Sequence, residues 1–187
     1  MTSPTDTAAQ CSAAAARRAI GAMFFGALGG AWLLLGILGA YGPRLAFLLP
    51  VVAATIALFV ASLRKFQKNR AAHAAAADSQ ESKKAGRVFS IVNAVQWALV
   101  FIVALVLSIL GHKEWIIPAI IFIVGMHFLP LAVAFKNPRH YATGAAMMLL
   151  AVIYPFVAKF GPASPIGCLG SGIILWASAV AALVRPA

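Results

Sequence analysis

Val88–Gly111, VFSIVNAVQWALVFIVALVLSILG, carries no Asp, Glu, Lys or Arg. An α-helix rises about 1.5 Å per residue, so some 20 apolar residues cross the roughly 30 Å hydrocarbon layer of a bilayer. Inside that layer a lone segment has to satisfy its own backbone hydrogen bonds, which a helix does. Five more runs have the same character: Ala19–Ala40, Leu45–Leu63, Trp115–Phe135, Tyr141–Ala158 and Phe160–Val184. The last enters its helix near Pro165, because Gly161-Pro162 and Ser164-Pro165 read as a turn. The reading is an all-α polytopic transmembrane bundle of about six spans, at 19–40, 45–63, 88–111, 115–135, 141–158 and 165–184.

The rest of the composition agrees. The 187 residues are 63% hydrophobic and 10% charged, whereas a soluble domain needs about 25% charged residues to solvate its surface. The missing water interface is therefore lipid. Residues 1–18 read as a polar N-terminal tail, expected to be disordered, ahead of a six-helix domain at 19–184. The longest polar segment, 64–87, is too short to form a core of its own, so function has to reside in the bundle or in what it binds. The first run follows Arg17-Arg18, but its uncharged length exceeds the roughly 7–15-residue core of a signal peptide, so it is expected to stay as a span.

The net charge is +11, from 15 Lys and Arg against Asp6, Asp78, Glu81 and Glu114, and no acid lies inside an apolar run. Counting Lys and Arg on alternate sides gives 12 with the N-terminus and three (Arg44, Lys113, Lys159) opposite. Basic loops stay cytoplasmic, so both termini are expected inside. The loop 64–87 should start as a helix and lie against anionic lipid headgroups. Its basic residues are not interleaved with aromatics on a soluble face, so nucleic acid is not an expected partner. Cys11 and Cys168 fall on opposite sides of the membrane and are not expected to pair.

Chemistry-bearing groups are sparse. The spans hold no carboxylate, no His and Cys at metal-ligand spacing and no nucleophile or phosphate-loop motif. No enzymatic activity, metal or cofactor is expected. Neutral polar residues remain: Asn93, Gln96, His127 and Thr55, with Ser178, all roughly 9–14 Å in from the cytoplasmic ends of their spans by helix rise. Asn93, Gln96 and Trp97 share one helical face, and the next span returns beside them carrying His127. Burial far from any carboxylate disfavours an imidazolium, so His127 is expected to stay neutral.

Two readings of that layer stay open. In one it lines a pathway for a small neutral or anionic solute. In the other its amides and imidazole hold helices together, and the chain is a non-transporting component that binds a partner protein or lipid through its small-residue faces and basic loop. Small residues at Gly26-x-x-x-Gly30, Gly167 and Ser171 let helices approach closely, within one bundle or in a homo-oligomer. Pro118, Pro130 and Pro155 interrupt spans, a placement that membrane helices tolerate. Gly42, Gly111 and Gly161 each sit near an outer turn, which allows a reading as three hairpins.

The stretch Trp115–Gly144, WIIPAIIFIVGMHFLPLAVAFKNPRHYATG, closes a span with Gly125-x-His127-Phe128-Leu129-Pro130-Leu131-Ala132 and opens the next with Pro138 and Tyr141. It resembles a segment of an uncharacterised family of small bacterial multi-spanning membrane proteins. The resemblance covers about 30 residues closely and the rest through the six-span layout. It implies a multi-pass protein of the bacterial cytoplasmic membrane and carries over no catalytic residue.

Overall fold

The computed structural model describes residues 4–77 and 79–184, and these are helices joined by turns. The helices are α1 (Pro4–Tyr41), α2 (Leu45–Ala77), α3 (Gln80–Ile109), α4 (Ile116–Ala134), α5 (Arg139–Val157) and α6 (Ile166–Val184), with 3-10 turns at Lys113–Trp115 and Gly161–Ala163. All six helices are long and apolar enough to cross a membrane, as expected of a multi-pass membrane protein.

Two expectations need correction. The segment read as a disordered tail is helical from Pro4 onward and continuous with the first span. Ala is the strongest helix former, and Ala13, Ala15 and Ala16 are buried. The segment 64–87, read as a loop helical at its start, is nearly all helix: α2 continues to Ala77 and α3 begins at Gln80. The Ser79 side chain caps α3 by accepting a hydrogen bond from the Ser82 N–H at 3.2 Å, which satisfies one of the free donors of a helix start. Charged residues end an apolar run, but they do not end a helix. Residues 1–3, Asp78 and Arg185 lie outside the described residues.

At the end of the bundle away from the termini, Gly42, Gly111 and Gly161 adopt φ of +70°, +80° and +58°. After α3 the turn is complete, with Gly111 N–H donating to Ser108 O at 3.3 Å and His112 N–H to Leu107 O at 2.8 Å. This pairing closes a helix when the residue after its cap is left-handed.

The helices pack in the order α2, α1, α6, α5, α4, α3. Helices α2 and α3, consecutive in the chain, form the two edges and pack on each other only slightly. Glycines set the close seams. A Cβ added to Gly172 would stand 2.7 Å from the Gly29 carbonyl oxygen, across α1 and α6. One on Gly144 would stand 2.6 Å from the Gly125 carbonyl oxygen, across α4 and α5. Gly26 and Gly30 face Leu58 and Thr55 of α2, and Gly167 faces the Tyr154 ring. Ser171 is buried and donates to Gly167 O at 2.8 Å. The core is Ile121, Phe128, Met147, Ala151, Tyr154 and Leu175.

Candidate functional site

The polar residues read as one layer are divided among three seams. Thr55 lies between α2 and α1, donating to Val51 O at 2.7 Å and packing on Gly30. Ser178 lies between α6 and α5, its hydroxyl 2.8 Å from Thr143 Oγ1. Asn93, Gln96 and His127 lie on α3 and α4, at the other edge of the row from Thr55. Helix rise gave each residue its depth, but lateral neighbours depend on a packing order that depth does not contain.

The α3–α4 seam is the part that stays together. Val92, Gln96, Val100, Val103 and Leu107 form the half-buried stripe of α3, with Asn93 half-buried beside it and Trp97 exposed. His127 faces the Val92 backbone. Its Nδ1 is shielded and has no hydrogen-bond partner in the structure, and its ring meets Phe128 edge-on at 5.7 Å. Among the described residues no hydrogen bond joins Asn93, Gln96 and His127 to one another. They are neighbours on one seam, and the hydrogen-bonded cluster that their spacing suggested is not formed.

No protein-family model, curated protein or solved structure matches the chain.

One cluster was not anticipated. His140, at the start of α5, is surrounded by Phe25 of α1 at 5.7 Å, Phe128 of α4 at 6.0 Å and Phe135 at 6.3 Å. Phe25 and Phe128 meet edge to face at 5.4 Å. The cluster ties α1 to α4 and α5 past α6, and nothing in the sequence pairs Phe25 with residues more than 100 positions away. Trp176 Nε1 likewise donates to Gly26 O at 3.0 Å, across α6 and α1. Near the C-terminus of α6, Lys65 Nζ donates to Leu183 O at 2.6 Å and Arg139 Nη1 to Ala181 O at 2.7 Å. These are structural ties, and Arg139, one of the 12 basic residues counted on the side of the termini, is also a helix cap.

Two depressions lie at the end away from the termini. A groove of about 520 Å³ runs between α3, α4 and α5, and its lining is apolar. A smaller hollow of about 290 Å³ is bordered by Leu35, Lys113, Glu114, Ser164 and Cys168. Among the described residues no group of three His, Cys, Asp or Glu is placed to hold a metal ion.

Proposed function

We propose that the chain is a non-transporting membrane component that works by helix association within the bilayer. Its working surface is α3, and the partner its chemistry fits is a second copy of the chain. The observation that carries this reading is the position of α3: it forms an edge of the row, none of its described side chains is buried, and Asn93 and Gln96 lie within its span. An apolar edge alone is satisfied by lipid. Asn93 and Gln96 are only half-buried on the side of α4, so each keeps amide groups that lipid tails cannot meet. A carboxamide is its own complement across a two-fold axis, so two parallel α3 helices satisfy each other. The resemblance of Trp115–Gly144 supports a place in the bacterial cytoplasmic membrane. The basic arms of α2 and α3 support contact with anionic headgroups on the side of the termini.

One observation favours a second reading, a pathway for a small neutral or anionic solute. His127 Nδ1 is shielded without a hydrogen-bond partner on the seam that holds Asn93 and Gln96, and a passing solute would give it one.

One set of variants separates the two. Cys11 is exposed and Cys168 buried, so donor and acceptor dyes can be placed on Cys11 of separate copies in liposomes. Energy transfer that falls on lipid dilution is expected, with association weakened about tenfold in Asn93→Ala/Gln96→Ala, since each interhelical amide contributes about 0.6–2 kcal/mol. Solute efflux from the same liposomes should not respond. Absence of energy transfer in the parent would overturn the proposal, and efflux that falls on adding His127→Leu would establish the pathway instead.

A further inference from the structure

Helices α3 and α5 both pack on α4 and leave a groove over its N-terminal half. Pro118, Ala119 and Phe122 form its floor, Val103 and Leu107 one wall, and Val152 and Phe156 the other. The groove exists because the floor and inner edge carry small side chains, Ala119 and Ala151, where bulkier ones would fill it. Trp115 and Phe156 meet at 6.1 Å between ring centroids, and Trp115 lines the groove at its outer end. From Trp115 to Ile123 the groove runs eight residues along α4, or about 12 Å by helix rise. One leaflet of hydrocarbon is about 15 Å deep. The groove is thus confined to the leaflet at the end away from the termini, starts at the depth where an indole ring prefers to lie and opens sideways to lipid.

We propose that this groove is a binding site for one acyl chain of an anionic phospholipid, with Lys159 as its headgroup contact. The charged residues of this end are Arg44, Lys113, Glu114 and Lys159. Glu114, the one acid among them, is 3.5 Å from His112 and borders the separate hollow together with Lys113. Lys159 is three residues beyond Phe156, exposed, with its ammonium 5.8 Å from the Phe160 ring centroid. That spacing from the groove-lining Phe156 gives a phosphate at that end a nearby cation, and the acyl chain below it covers apolar side chains that the protein itself leaves open. The site is separate from the Asn93–Gln96 surface and does not depend on self-association.

The test uses Trp115 as the reporter. The full chain is placed in phosphatidylcholine vesicles containing either phosphatidylglycerol or phosphatidylcholine brominated on the acyl chains. The Trp115 signal is taken as the difference between the parent and Trp115→Phe. Its quenching should be half-complete at about a fivefold lower fraction of the brominated anionic lipid, the advantage that one lysine confers at a membrane surface. Lys159→Gln should remove that preference. Ala119→Phe should remove Trp115 quenching by both lipids while quenching of the exposed Trp97 continues. Equal quenching by both lipids in the parent, or a preference that survives Lys159→Gln, would overturn the proposal.

Discussion

A single added methyl group has three different consequences in this bundle, depending on which glycine receives it. Gly21 lies inside α1 with nothing within 4 Å of an added Cβ, so Gly21→Ala should gain about 0.5–1 kcal/mol from reduced backbone entropy in the unfolded chain. Gly111 also has open space, but its φ of +80° is left-handed, and Gly111→Ala should lose about 1–2 kcal/mol through backbone conformation alone. Gly144 is helical, yet an added Cβ meets the Gly125 carbonyl oxygen at 2.6 Å and Phe128 Cβ at 3.2 Å. Backbone cannot swing aside as a flexible side chain can, so Gly144→Ala should lose about 1–3 kcal/mol by overpacking. Reversible unfolding of the three variants in mixed micelles checks the order, and a Gly144→Ala variant as stable as the parent would mean that α4 and α5 are not this close. Sequence spacing made the small residues visible as packing positions. It left open that α2 covers Gly26 and Gly30, because which helix fills a small-residue face is decided by the packing order of the bundle.

At the scale of elements, α6 shows how much of a helix lies outside its own sequence. Its last turn has no basic residue, although cations are favoured where carbonyls are left free at a helix C-terminus. Lys65 of α2 and Arg139 of α5 supply them from either side. Arg139→Met keeps the aliphatic stem and removes the donor, and it should destabilise the end of α6 by about 0.3–1 kcal/mol. Amide exchange over the last turn of α6 should then quicken by about two- to fivefold while that of α4 stays unchanged. Unchanged exchange at the α6 end would show that the cap contributes nothing. The six spans were readable because hydropathy follows directly from residue type. The helical arm at 4–18 was not, because its Ala-rich sequence favours helix while its charges end the apolar run that marks a span, and of 64–87 only the helical start was read. The polar layer was half readable: depth along each helix follows from rise, whereas the separation of Thr55 from Asn93 requires knowing that α2 and α3 stand at opposite edges.

For the whole molecule, the lengths of the helices make the two ends unequal. Helices α4, α5 and α6 have 19 residues each, about 29 Å, which matches the hydrocarbon thickness. Helices α1, α2 and α3 have 38, 33 and 30, or about 57, 50 and 45 Å, and so outrun it. The glycine turns keep the opposite end compact, so the surplus projects on the side of the termini. The basic residues from Arg64 to Arg87 lie there, as does the Arg17-Arg18 pair. Length and charge asymmetry therefore coincide, and by the positive-inside rule the projecting end is expected in the cytoplasm. Cys11, exposed on the arm of α1, reports on this directly. A membrane-impermeant maleimide should label Cys11 in inverted vesicles and spare it in right-side-out ones. In a Cys11→Ser background, His112→Cys, at an exposed position on the opposite end, should give the reverse pattern. Labelling of Cys11 from outside would place the arms away from the cytoplasm. The 12-to-three charge bias would then fail as the determinant of orientation, and the groove over α4 would open to the inner leaflet.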